Sequence, residues 1–198
     1  EVAEYCIKDT LLPHRLLSKL CILINLLEMA KATWVPLSYL VERGQQIKVF
    51  SQLTKKAREM GYLVPTIAWG EGMVEGYEGA TVLEAQKGAY YTPITALDFE
   101  ALYPSIMMAH NLCYSTLIMD PKYENKENYP DLEIETFGKF KFVQNVPSLL
   151  PSILLELKQF RKQAKKDMAN STGSLQQMYN GKQLAYKVSM NSVYGFTG

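Results

Sequence analysis

The sequence predicts a mixed α/β (α+β) chain in which an antiparallel helical hairpin stands on a small sheet. Two observations carry this. Apolar residues recur at helical spacing in the first sixty residues and again over residues 146–194. Between them, residues 82–84 and 92–97 are short, apolar and β-branched enough to read as strands. A chain of 198 residues with 47% hydrophobic content can bury a real core.

Residues 1–20 are amphipathic. Tyr5 and Asp9 are four apart and share one helical face. Asp9 is also placed to cap a helix running through Leu11, Leu12, Leu16, Leu17 and Leu20, with Pro13 in its first turn. Leucine and isoleucine lie nearly all round residues 21–33, which predicts a buried helix. Trp34, Val35 and Pro36 break it, and Ser38 is the expected cap of a second helix. Arg43-Gly44-Gln45-Gln46 interrupts that helix, residues 47–60 resume it and Gly61 stops it. Residues 62–68 read as a short strand, and residues 70–73 as a glycine-rich linker.

Tyr77 offers a stacking face, and Gly79 with Ala80 permits close backbone approach; a plain turn before a strand is the alternative. Residues 82–84 and 92–97 would form a hairpin around Gln86-Lys87-Gly88. Residues 120–145 read as a solvated insertion with a small hairpin at 133–143. Val146-Pro147-Ser148 opens the first of two long helices, with Leu149, Ile153, Leu154, Leu157, Phe160 and Ala164 on its apolar side. A turn at residues 170–173 leads to the second, over residues 174–194. Each is expected to be about 30–36 Å long, and the short turn makes them antiparallel.

Charge is balanced, 21 basic against 20 acidic residues, which argues against a histone-like general DNA binder but leaves room for local basic faces. Cys6, Cys21 and Cys113 show no paired spacing and no zinc pattern, as expected of free thiols. Nothing reads as a signal peptide or a bilayer-spanning run, so no membrane partner is expected. The first residues read as the middle of a domain and the last stop just after a motif, as in an internal fragment.

Two clusters carry chemistry. Asp98 follows an apolar run and precedes Phe99, Tyr103 and a helical stretch. An acid there, beside the N–H groups opening a helix, suits a metal and a phosphate side by side; it also suits a helix cap. Arg161 and Lys165 are four apart, as are Lys187 and Asn191, and Tyr194 follows at the seventh position. If both faces turn inward, three cations and an amide converge as a triphosphate requires; a solvated basic face is the alternative.

Residues 98–105 resemble the D-x-x-S-L-Y-P-S signature, motif A, of family B DNA polymerases, and residues 107–114 extend the likeness. Residues 187–195 match that family's K-x-x-x-N-S-x-Y-G pattern, motif B, at every specified position. Within the family the chain looks most like delta-type replicative polymerases and those of large DNA viruses of algae. Tyr5-x-x-x-Asp9 resembles the third motif of a ribonuclease-H-like 3′–5′ proofreading exonuclease, in which the aspartate holds a metal and the tyrosine orients water.

The resemblance implies the end of an exonuclease domain with connecting helices at residues 1–69, the first part of a palm at 70–146 and a fingers hairpin at 147–198. Asp98 would ligate two Mg2+ ions with the Phe99 carbonyl, and Asp9 would ligate metal at the exonuclease site. Backbone N–H groups of Ala101, Leu102 and Tyr103 would receive the triphosphate, and the Tyr103 ring would exclude a 2′-hydroxyl. Arg161, Lys165, Lys187 and Asn191 would hold its phosphates, Lys187 acting also in catalysis. Tyr194 and Gly195 would meet the nascent base pair, and Tyr77 and Gly79 the template. Arg43 and Gln45 either touch a DNA backbone or lie in a solvated loop.

The implied activity is template-directed DNA synthesis from deoxynucleoside triphosphates on primer-template DNA, in a nucleus or viral replication site. A sliding clamp would be met through regions outside this chain. Three positions depart from the family pattern: Ala85 replaces a usual proline, Ala101 a serine, and Glu100 adds a charge beside Asp98 that is expected to point away. The second palm aspartate is absent, so the fragment alone should not polymerise. A non-catalytic DNA-binding or scaffold relic is the rival, but it would tend to lose Asp98, Lys187 and Asn191, all of which are present.

Overall fold

A computed structural model describes residues 1–64, 81–125 and 127–197. Seven helices, one 3-10 turn and a two-stranded antiparallel sheet appear among them. The mixed class read from the sequence holds, with helix far outweighing strand.

Helix α1 (Val2–Lys19) is continuous and has no buried residue. Asp9 lies inside it rather than at its start, and Pro13 lies well past the first turn. The expected cap at Asp9 is therefore not formed. Helix α2 (Ile22–Thr33) follows through Cys21 in a left-handed conformation, φ 51°. It is less buried than its composition suggests: Leu23 is 61% exposed, whereas Glu28 and Thr33 are covered. No single helix among the described residues is long and apolar enough to cross a membrane.

The break at residues 34–36 and the interruption at 43–45 occur where the sequence placed them, giving α3 (Leu37–Glu42) and α4 (Gln46–Met60). Ser38 does not cap α3; Pro36 holds the cap position and no side-chain bond is made there. Gly61 stops α4 with φ 74°, a conformation open to glycine without penalty.

The expected strand at 62–68 is not formed over residues 62–64, and its remainder lies outside the described residues. Residues 81–99 also lack strand structure, so the hairpin expected at 82–84 and 92–97 is absent. The physical reason is pairing. A strand needs a neighbour to satisfy its backbone, and no described residue supplies one here.

Helix α5 (Leu102–Ala109) ends near Asn111, whose amide ties three elements together. Its nitrogen reaches the carbonyls of Val143 (2.8 Å) and Val146 (2.9 Å), while its oxygen accepts from the Ser148 hydroxyl. The small hairpin predicted at 133–143 is present as β1 (Ile134–Phe137) and β2 (Phe140–Val143), with Gly138 at φ 60° in its turn. Val143 N–H donates to the Thr116 carbonyl and Ile118 N–H to Lys141, fastening the hairpin beyond α5.

Helices α6 (Leu149–Ala169) and α7 (Gly173–Thr197) form the predicted closing pair. The Phe160 and Tyr186 rings lie 5.7 Å apart, and Leu150 lines the same hollow as Tyr194. The first partner rises as the second falls, so the helices are antiparallel. Their apolar faces close on α4 and α5: Val49 and Ala57 meet Leu150, Ile153, Leu154, Leu157, Met190 and Val193 in one core.

Candidate nucleotide and primer site

Asp98 stands at the exposed end of the extended segment, with Phe99 76% exposed beside it. It does not cap α5. Ala101 holds that position at φ 49°, ψ 57°, and no side chain bonds the helix start. A left-handed alanine costs on the order of 1–2 kcal/mol, so the backbone here is held against its own preference.

The start of α5 presents few free N–H donors. Ser105 N–H is taken by the Ala101 carbonyl, and Pro104, buried, has none to give. The first-turn groups of Leu102 and Tyr103 have no acceptor inside the helix. Glu100 is exposed, and its carbonyl accepts from the Ser105 hydroxyl at 3.1 Å.

Tyr103 joins the two motifs. Its ring stacks on Tyr194 of α7, centroids 4.9 Å apart and planes at 25°. Behind the pair lies an open apolar hollow of about 560 Å3, walled by Ile106, Met107, Leu112, Cys113, Leu117 and Leu150 among others. Residues 91 positions apart in sequence thus form one edge.

On the hairpin, Arg161 and Lys187 each follow a member of the Phe160–Tyr186 contact, so they sit at the same level. Lys165 is one turn toward the hairpin tip and Asn191 one turn toward its base. Their backbone positions therefore spread along a stripe of about 12 Å rather than a point. Lys165, Lys187 and Asn191 are exposed, while Arg161 is partly covered and its Nε is buried without a hydrogen-bond partner. Among the described residues no carboxylate pairs with any cation of α6 or α7. Elsewhere some lysines are matched, Lys56 with Glu156, Lys55 with Glu59 at 2.6 Å and Lys122 with Asp120 at 2.9 Å, while others, Lys48 among them, have no carboxylate partner among the described residues. Hydrogen bonding to Glu156 pushes the Lys56 ammonium up from its ordinary range.

Asp98 and the Phe99 carbonyl are hard oxygen donors of the kind Mg2+ takes, which commonly binds through one or two carboxylates plus substrate phosphates. Among the described residues no three His, Cys, Asp or Glu side chains gather into a metal cage. Tyr5 and Asp9 share the exposed face of α1. Tyr77 and Gly79 lie outside the described residues. Gly195 is helical, and a Cβ added there would meet none of the described residues within 4 Å.

Pattern reading passed over one residue pair. Gln52 of α4 and Ser189 of α7 are both buried and bonded to one another at 2.8 Å. The available signal was polarity: each falls on the apolar stripe of its helix.

Residues 35–198 match the family model for DNA polymerase family B. The chain belongs to that family. It is 50% identical over 200 residues to the DNA polymerase delta catalytic subunit of Mesocricetus auratus, covering all of this chain and 18% of that protein. It is 48% identical over 210 residues to a DNA polymerase of Paramecium bursaria Chlorella virus NY2A, again over the whole chain and 23% of the relative. The solved family B DNA polymerase of the archaeon Pyrobaculum calidifontis superposes with a TM-score of 0.69 at 26% identity, over 92% of this chain and 23% of that one. The family B chain described here thus spans about a fifth of the length of these relatives.

Proposed function

We propose that the chain is the stretch of a replicative, delta-type DNA polymerase that joins the end of the exonuclease domain (residues 1–69) to the first part of the palm (70–146) and the fingers (147–198). The reaction is transfer of a nucleotidyl group from a deoxynucleoside triphosphate to a primer 3′-hydroxyl, with release of pyrophosphate, on primer-template DNA. The observation that carries this reading is the Tyr103–Tyr194 stack, which brings the carboxylate-bearing motif to the base of the cationic hairpin.

In this reading Asp98 and the Phe99 carbonyl hold Mg2+, which supplies charge neutralisation and activation of the primer hydroxyl when bound. Backbone N–H groups of Ala101, Leu102 and Tyr103 donate to the triphosphate. Arg161, Lys165, Lys187 and Asn191 meet its phosphates; their place along one stripe of the hairpin, with Lys165, Lys187 and Asn191 exposed, supports this. Tyr103 closes the space a 2′-hydroxyl would need. Tyr194 and Gly195 face the nascent base pair, and Tyr77 and Gly79 the template. Gly195 supports that role: glycine in a helix costs about 1 kcal/mol relative to alanine, and none of the described residues crowds it. Tyr5 and Asp9 belong to the proofreading site. The protein works where DNA is replicated, in a nucleus or a viral replication site, and meets a sliding clamp through other regions.

The test is Asp98→Asn in the full-length polymerase. Primer extension should fall by at least about a thousandfold, on the scale of losing one preorganised charge at the reacting centre, while primer-template affinity stays nearly unchanged. Near-normal turnover would remove Asp98 from the metal site.

A further inference from the structure

We infer that Gln52, on α4, is a positioning residue for the incoming nucleotide, because it fixes the rotation of α7 and so the direction of Lys187 and Asn191. The inference rests on the phosphate role proposed for those two residues.

Gln52 is 6% exposed and Ser189 fully buried, and the Gln52 amide lies 2.8 Å from the Ser189 hydroxyl. A second bond from the same amide nitrogen, to the Lys48 carbonyl at 3.1 Å, locks the glutamine onto its own helix. Ser189 sits two residues from Lys187 and two from Asn191. At about 100° per residue it projects on the side of α7 opposite to both. α7 therefore turns Ser189 to α4 and leaves Lys187 and Asn191 exposed.

The neighbouring contacts are apolar and specify rotation less sharply. Met190 and Val193 pack with Val49, and such surfaces tolerate small rolls with repacking. A hydrogen bond does not, since it weakens steeply beyond about 3.2 Å. A roll of α7 that lengthens this bond moves the Lys187 ammonium further, because that group lies further from the helix axis than a serine oxygen. Displacements of about 1 Å at a reacting group cost up to roughly a hundredfold in rate. The partner helix is referenced to the same element, through Lys56 of α4 paired with Glu156 of α6. Helix α4 thus acts as a rail against which both fingers helices are set.

The experiment uses the full-length polymerase with Gln52→Leu, Ser189→Ala, the double variant and Gln52→Glu. Single-turnover incorporation is measured against deoxynucleotide concentration and normalised to titrated active sites. Each single variant should weaken apparent nucleotide affinity about three- to tenfold, with primer-template affinity unchanged. The double variant should be no worse than either single one, because one shared contact is lost only once. Gln52→Glu loses the amide donor that both bonds use and turns a carboxylate oxygen toward the Lys48 carbonyl, so it should weaken nucleotide affinity at least as much as Gln52→Leu. Should Gln52→Leu fold poorly, Ser189→Ala reports the same bond. Unchanged nucleotide affinity with only a lowered melting temperature overturns the inference, as do additive losses in the double variant. Lys187→Ala is the control. If it weakens nucleotide use and Ser189→Ala does not, only the positioning role fails; if it has no effect, the phosphate assignment fails and the positioning role with it.

Discussion

Two regions of this chain differ sharply in how much of their apolar surface they bury. The α4–α6–α7 unit buries Leu150 and Leu154 almost completely, whereas residues 81–99 leave Val82 89% and Leu97 92% exposed. Both are apolar in sequence. They differ in where their partners lie. A helix closes its backbone bonds on itself and needs only a surface for its apolar stripe, which α4 provides. A strand needs another strand, and none of the described residues offers one. Asp98 thus stands at the end of a segment that buries little apolar surface among the described residues.

The sharpest way to break that contrast is by truncation in each region. Leu154→Ala should cost about 3–4 kcal/mol in the 198-residue chain, since it opens a cavity in a core with nothing free to fill it. Leu97→Ala should change stability by less than about 0.5 kcal/mol. Denaturant titrations of both variants measure this directly. A comparable loss at Leu97 would mean that the extended segment is docked after all.

At the junction of the two regions, Tyr103→Ala in the full-length polymerase should raise ribonucleotide against deoxynucleotide use by about thirtyfold, roughly 2 kcal/mol of discrimination. Tyr103→Phe should leave the ratio within about twofold, because the ring rather than the hydroxyl occupies the space. Competitive incorporation assays read the ratio. If both sugars lose equally, Tyr103 matters only through its stack on Tyr194.

Within the hairpin, position should outweigh charge. Arg161→Ala and Lys165→Ala should each weaken nucleotide use at least about tenfold, roughly 1.4 kcal/mol. Lys162→Ala should do much less, because Lys162 is rotated about 100° from Arg161. All three cations lack a carboxylate partner among the described residues, so pairing cannot explain a difference between them. Equal small effects in single-turnover kinetics would return the helix to a solvated basic face.

What could be read beforehand follows the same division. Periodicity predicted α4, α6 and α7 and the break at residues 34–36, because these depend on contacts between patterned helices. The β1–β2 hairpin was legible too, its strands being close in sequence and its turn carrying Gly138. The segment before Asp98 is apolar and β-branched, which predicts a strand, but none forms, since its pairing is not a local property. At the proposed site, motif spacing nominates the residues, yet the Tyr103–Tyr194 stack and the left-handed Ala101 come from tertiary geometry that no spacing encodes. Gln52 could have been noticed, because a glutamine on a buried stripe requires a polar partner.

Lys48 tests the packed region from its weakest point. Its side chain is only 6% exposed, its ammonium donates to Gln45 Oε1 at 2.8 Å, and no carboxylate pairs with it among the described residues. Burial lowers its pKa from the ordinary 10.5. The charged form is therefore disfavoured in the fold, and a folding penalty is present at neutral pH. In the window between the lowered value and 10.5 the unfolded chain holds more protons than the folded one, so stability rises with pH there. Lys48→Met should then stabilise the 198-residue chain by about 1 kcal/mol at pH 7, and the gain should shrink as pH approaches 10.5. Thermal melts of both proteins across pH 7 to 10.5 check the sign and the trend. A loss of stability at pH 7 would show instead that the ammonium holds this core together, and that the packed region tolerates charge better than its burial implies.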